Sequence, residues 1–209
     1  MGLARSAAER IYTVTKGKDG SSIAPYEKTV SLVELLGELS FSAYRELGAE
    51  KLLLVEGTTD VKVMQQLLRK AGKDHSVVVL PLGGNSLARG GVKHELAELK
   101  RVVDDIWAVV DSERDVEGGP ADPARSGFEE LCRELGFRVL LTERRAAENY
   151  FDDQSVKAVL GSSFSALGHY DKLKSHANPW SKADNWRIAQ ELDWNAFKAT
   201  DLGRFIELI

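Results

Sequence analysis

Acidic residues recur in this chain where apolar runs stop. KLLLV at residues 51–55 leads into Glu56-Gly57-Thr58-Thr59-Asp60, and IWAVV at 106–110 leads into Asp111-Ser112-Glu113-Arg114-Asp115. A third apolar run, FRVLL at 137–141, leads through Thr142-Glu143-Arg144-Arg145 to Glu148-Asn149-Tyr150. Carboxylates gathered without partners repel one another and raise each other's pKa, so a cluster of them calls for a compensating cation. Oxygen donors suit a hard ion, Mg²⁺ or Mn²⁺, better than zinc, and the chain has only four scattered histidines. Taken singly these acids say less. Asp60 in a first helical turn complements the helix dipole whether or not it has a function, and Glu113 and Asp115 read equally well as solvated loop charge. Glu56 is harder to dismiss, because a strand this apolar should end on a neutral turn residue. The specific signal is the order: acid-Gly after one apolar strand, then Asp after another.

The elements that must carry these residues follow from the pattern between them. Residues 51–55, 76–80, 106–110 and 137–141 are continuous apolar runs, and helical periodicity fills 60–71, 92–103 and 124–135. Strands that are apolar throughout and separated by helices indicate a parallel sheet covered on both faces. Ligands of such sheets sit where strands end and loops begin, which is where the acids lie. The pattern predicts tight turns at Gly57 and at Gly83-Gly84-Asn85, with Thr58 or Thr59 capping the helix that follows. Before the sheet, residues 11–14 look strand-like without an evident partner, and 29–47 read as an amphipathic helix stopped by Gly48. After it, short helices are expected near 152–160, 167–173, 182–192 and 199–208. The division expected is 1–48 as a leading segment, 49–147 as an α/β core with a mostly parallel, Rossmann-like sheet, and 148–209 as a helical subdomain.

Composition excludes several classes. The chain has 209 residues, 43% hydrophobic and 29% charged, as a globular protein of one α/β domain and an appended piece would have. No apolar run is long enough to span a membrane and no secretory signal pattern opens the chain. The lone Cys132 excludes an internal disulfide, reads as a buried bystander, and makes a reducing, cytoplasmic setting the expectation. A net charge of -4 carries no overall mark of nucleic-acid binding, but a site that collects carboxylates for cations lowers that number itself.

The motifs Glu56-Gly-Thr-Thr-Asp60 and Asp111-Ser-Glu113 resemble the two acidic motifs of TOPRIM domains, found in topoisomerases, bacterial primases, recombination mediators and some nucleases. With Gly83-Gly84-Asn85 and Glu148-Asn149-Tyr150, residues 49–209 resemble the C-terminal region of overcoming-lysogenization-defect (OLD) family nucleases. The second motif usually reads Asp-x-Asp. Glu113 keeps the charge with a longer reach. The resemblance implies a DNA endonuclease using two divalent cations, Mg²⁺ or Mn²⁺. Glu56 would be general base or ligand, Asp60, Asp111, Glu113 and Glu148 ligands, and the Ser112 hydroxyl an auxiliary one. It also implies a catalytic lysine from the helical part, for which Lys182 is the candidate and Lys172 and Lys174 are rivals. Arg144 and Arg145 would contact the DNA backbone. An ATPase domain would precede this region in the full-length protein, with residues 6–24 resembling its last strand. No Gly-x-x-x-x-Gly-Lys-Ser/Thr motif occurs, so ATP hydrolysis is not expected of this chain.

Other readings compete. One is a TOPRIM scaffold that binds nucleic acid without cutting it, as recombination mediators do. Another is a primase- or topoisomerase-like enzyme, which would need domains or a tyrosine setting that this sequence lacks. A receiver domain phosphorylated on Asp111 would carry adjacent acids after its first strand, whereas Glu56 and Asp60 are four apart.

Overall fold

The structure, a computed structural model, describes residues 12–17, 20–25, 50–82, 92–100 and 103–209. β1 (Tyr12–Gly17) and β2 (Gly20–Pro25) form an antiparallel hairpin in the register Val14 to Ile23. The strand-like run near 11–14 therefore has its partner in the adjoining segment at 20–25, whose serines and glycine give no strand signal. The turn needs Gly20, whose φ of 132° is left-handed. The helix expected at 29–47 and the turn at Gly83-Gly84-Asn85 lie outside the described residues.

The core alternates as the apolar runs require: β3 (Lys51–Val55), α1 (Thr58–Lys70), β4 (Val77–Pro81), α2 (Val92–Leu99), β5 (Asp105–Val110), α3 (Pro123–Glu134) and β6 (Arg138–Leu141). The four strands are all parallel in the order β4-β3-β5-β6, with Leu52 level with Val78 on one side and Ile106 on the other. β3 and β5 are thus central neighbours, and the residues that follow them emerge side by side.

Alternation within each strand sorts side chains into two buried layers. Leu52, Leu54, Val78, Ile106, Ala108 and Val110 face α2 and α3, packing on Leu96, Phe128 and Cys132. Leu53, Val55, Val79, Trp107 and Val109 face α1 and the C-terminal part of the chain. Cys132 is fully buried and its thiol is pushed up to about 12 by burial, as suits a packing residue.

Beyond β6 the chain is helical: a 3-10 turn at Ala147–Tyr150, α4 (Asp153–Leu160), 3-10 turns at Leu173–Ser175 and Lys182–Asp184, α5 (Asn185–Glu191), α6 (Trp194–Phe197) and α7 (Asp201–Leu208). This tail has no core of its own. Trp180, Ile188, Leu202 and Ile206 join Leu53, Met64 and Val109 in one apolar layer, so residues 148–209 form the outer cover of one sheet face. Lys70 donates to the Leu192 carbonyl at 2.7 Å, and Phe205 meets Trp107 edge-on at 5.2 Å. Among the described residues, no helix is long and apolar enough to cross a membrane.

The closest approach in the tail is at Gly203 in α7. A Cβ there would stand 2.2 Å from the Phe197 carbonyl oxygen and 2.6 Å from the Lys198 Cα, both backbone atoms that cannot step aside. Gly203→Ala is expected to lower unfolding free energy by about 3 kcal/mol. Urea denaturation checks it, and a loss below about 0.5 kcal/mol, the level of a neutral surface change, would show that α6 and α7 are not held in this contact.

Candidate active site

Each acid reaches the strand-end edge by a different local device. Glu56 directly follows β3, and Oε1 accepts from the Asp111 amide at 3.2 Å, which ties the end of β3 to the end of β5. α1 starts two residues later, at Thr58. Its N-cap is Gly57 rather than either threonine, with Asp60 Oδ2 accepting the Gly57 amide at 2.9 Å. Gly57 is extended at φ -128°, so the turn does not need glycine for its backbone; a Cβ would lie 3.2 Å from that same Asp60 oxygen. Asp111 directly follows β5 and is 7% exposed, with Oδ1 accepting from the Ala147 amide at 3.0 Å. That bond brings the 3-10 turn after β6, and with it Glu148, over the end of β5.

Glu148-Asn149-Tyr150 divide their work. Asn149 donates to the carbonyls of Gly168 (2.7 Å) and Asp171 (2.9 Å), drawing the following loop against the site. Tyr150 donates to Asp201 at the start of α7 and accepts from the Arg144 amide at 3.1 Å. Glu148 is the member that enters the acidic cluster. It is 4% exposed, Oε1 pairs with Lys182 Nζ at 2.9 Å, and Oε2 is buried with no hydrogen-bond partner among the described residues.

Electrostatics mark these groups as one cluster. Glu56 is raised from 4.5 to about 7, chiefly by burial, against the opposing pull of Arg125 and with a further push from Asp60 and Glu113. Asp60 is raised by burial and by Glu148, with Lys182 opposing. Asp111 is raised well above the usual range by burial and then by Asp60, Glu56 and Glu148. Burial alone would lower the Lys182 ammonium, but Glu148, Asp111 and Asp60 together hold it above its ordinary value. Lys182 is therefore the lysine that the fold brings to the acids. Lys172 pairs instead with exposed Asp115 at 3.0 Å, and Lys174 lines a neighbouring cleft.

Three of the expected site residues are bound into the scaffold. Ser112 is fully buried: its amide donates to Thr142 Oγ1 at 3.0 Å and its hydroxyl to the Arg144 carbonyl at 2.9 Å, clasping the loops after β5 and β6. Arg144 donates to the Asn149 carbonyl at 2.9 Å and lies over the Tyr150 ring at 4.7 Å. Arg145 donates to the carbonyls of Glu113 and Arg114, each at 3.0 Å, and pairs with the carboxylates of Glu113 and Asp115. The same clasp holds Glu113 at φ 55°, a left-handed conformation unusual for a residue with a side chain. Its carboxylate thus lies at the rim with Arg145, while Glu56, Asp60, Asp111 and Glu148 make the centre.

Arg125 was not foreseen. It stands in the first turn of α3, and its Nη2 meets Glu56 Oε2 at 2.8 Å. No periodicity marked it, because the long polar loop before α3 hides which residue returns to the sheet edge. A cleft of about 740 Å³ opens beside the acids, lined by Glu113, Arg145, Glu148, Lys172, Lys174 and Lys182 among others. A smaller hollow of about 320 Å³, lined by Thr58, Thr59, Lys62, Lys182 and Trp186, lies on the other side of Lys182.

Among the described residues, no three acidic, histidine or cysteine side chains are drawn together as a finished metal cage. Glu56, Glu148 and Glu113 are each held by a cationic side chain: Arg125, Lys182 and Arg145 respectively. The donor set nevertheless fits a hard divalent ion: it is all oxygen, and buried Glu148 Oε2 has no donor among the described residues. Comparison of the chain with protein-family models, curated proteins and solved structures finds no match.

The raised carboxylates have a consequence for stability. Below about pH 4.5, Glu56 is protonated in both folded and unfolded chains. Between there and about 7 the unfolded chain gives up its proton while the folded one keeps it, so stability falls as pH rises through that window. Asp60 and Asp111 act in the same direction. In EDTA the melting temperature should fall from about pH 5 to about pH 8, and Glu56→Gln should flatten that slope. Parallel curves for the two proteins, followed by scanning fluorimetry, would remove Glu56 from the cluster.

Proposed function

We propose that this chain is a metal-dependent DNA endonuclease of the TOPRIM type, similar to the C-terminal region of OLD family nucleases, working with two Mg²⁺ or Mn²⁺ ions. The observation that carries this reading is Glu148, a buried carboxylate with one oxygen on Lys182 and the other, among the described residues, without a partner, electrostatically joined to Asp60 in the first turn of α1 and to Asp111 after β5. Such an arrangement is costly to fold without a compensating charge, which supports a bound cation and a negatively charged substrate.

The residues that would hold the ions are Asp60, Asp111 and Glu148, with Glu56 and Glu113 on either flank. Held there, divalent ions would supply activation of a water and stabilisation of the departing oxygen. Glu56, raised to about 7, is balanced between its two forms near neutral pH and suits a group that takes a proton from that water. Lys182 keeps its charge and stands half exposed where the two hollows meet, placed to neutralise charge that develops on a phosphodiester. Arg145 and Arg144 orient the acidic loops, so their part in DNA binding would be indirect. An ATPase domain N-terminal to this region would supply any nucleotide dependence. One observation favours a second reading, a scaffold that binds nucleic acid without cutting it: Glu56, Glu148 and Glu113 are each already paired with a cationic side chain.

Cleavage of supercoiled plasmid separates the two. With Mg²⁺ or Mn²⁺ the protein should nick or linearise the plasmid, and with EDTA it should not. Glu56→Ala and Asp111→Ala should each lose at least about 100-fold in rate, and Lys182→Ala about 100- to 1000-fold. Folded protein that binds DNA but does not cut it with any metal would leave the scaffold reading in place.

A further inference from the structure

We propose that Arg125 is the phosphate-binding arginine of this site, parked on Glu56 until a divalent cation takes that carboxylate and frees the guanidinium for a phosphodiester oxygen. The inference rests on the nuclease reading and adds a residue that neither the acidic motifs nor the family resemblance indicates.

The arginines around the site differ in what holds them. Arg114 donates to the carbonyls of Gly119 (3.0 Å) and Thr142 (2.7 Å). Arg144 is held by the Asn149 carbonyl and the Tyr150 ring, and Arg145 by two carbonyls and two carboxylates. Moving any of these three would leave backbone carbonyl oxygens without their donors. Arg125 is different. Among the described residues its guanidinium has one ion-pair partner, and that partner is the carboxylate expected to serve the chemistry. It can change partners at the expense of a single contact.

Its root is as fixed as its tip is free. Asp122 caps α3, accepting the amides of Ala124 at 2.9 Å and Arg125 at 3.3 Å. The Asp122 amide in turn donates to the Ser112 carbonyl at 3.0 Å, which fastens the start of α3 to the loop that carries Asp111 and Glu113. The side chain is 21% exposed, so solvent and a ligand reach it. A planar guanidinium offers two parallel N–H groups, a fit for two oxygens of one phosphate that an ammonium lacks.

The exchange has a thermodynamic signature. A divalent ion and the Arg125 guanidinium compete for the same Glu56 carboxylate, so by linkage removal of one must tighten binding of the other. A fixed structural arginine predicts the reverse: its loss would disorder Glu56 and weaken metal binding.

Two measurements on the full chain test this, neither of them reading cleavage. Calorimetric titration with Mn²⁺ alone should show Arg125→Ala binding about fivefold tighter than wild type, with Arg133→Ala unchanged. Arg133 lies on the same helix, exposed and paired with Glu129, and controls for the lost charge. Anisotropy of a labelled oligonucleotide in Ca²⁺ across a salt series should show Arg125→Ala binding about tenfold more weakly, its salt slope reduced by about one, while Arg125→Lys keeps the slope. Oligonucleotide binding by Arg125→Ala equal to that of Arg133→Ala would overturn the phosphate role whatever happens to Mn²⁺ affinity. Weaker Mn²⁺ binding by both Arg125 variants would make the residue a fixed partner of Glu56. Wild-type protein that binds no oligonucleotide in Ca²⁺ would overturn the nuclease reading and this assignment together.

Discussion

Four carboxylates closing on one another at the end of a parallel sheet are the constraint around which the rest of this molecule is arranged. Glu56 and Asp111 end neighbouring central strands, Asp60 opens the helix between them in sequence, and Glu148 is brought over by a bond to Asp111. Burial and mutual repulsion make Glu56, Asp60 and Asp111 harder to ionise. Side-chain cations from two distant parts of the chain relieve that repulsion. Arg125 comes from the helix beyond the β5 loop, and Lys182 from the tail. The tail is therefore more than a lid on an apolar face: packing Trp180 and Ile188 beside Met64 is what carries Lys182 to Glu148.

The central acids could be read in the sequence because two independent regularities place them. Continuous apolar strands fix where the sheet ends, and parallel topology puts those ends on one edge. Neither regularity speaks to what approaches from outside the sheet. Arg125 follows the loop at 111–122, which has no periodicity, and only the capping of α3 by Asp122 decides that its side chain turns back toward Glu56. Lys182 was indicated by resemblance alone, since a lysine in a polar stretch has no local mark that separates it from a solvated one. β2 escaped because Gly20-Ser-Ser-Ile-Ala-Pro25 has turn composition and becomes a strand only by pairing with β1.

Arg144 and Arg145 show the converse case, in which residue type points outward and the fold turns the side chains inward. Two adjacent arginines at a sheet edge suggest a surface for phosphates. The loops after β5 and β6, however, expose carbonyls of Glu113, Arg114 and Asn149 that no strand satisfies. A guanidinium with five donors is the side chain best able to gather several such carbonyls. Clasped this way, the loops hold Glu113 in its left-handed conformation and Ser112 out of solvent. The same fastening confines candidates for substrate contact to cations with less to lose, Arg125 and Lys182.

Charge within the cluster is then shared among three kinds of cation. Arg125 and Lys182 leave the four carboxylates two positive charges short, and the upward shifts of Glu56, Asp60 and Asp111 make protons the readiest compensation in the protein alone. Any divalent ion that enters must displace protons, side-chain cations, or both. Protons leave more readily as pH rises, and Arg125 can leave at any pH if another anion receives it. A phosphodiester is such an anion. Binding of the ion and binding of the nucleic acid would then support each other through the guanidinium that one releases and the other takes, which is a physical basis for a site that assembles fully only when both are present.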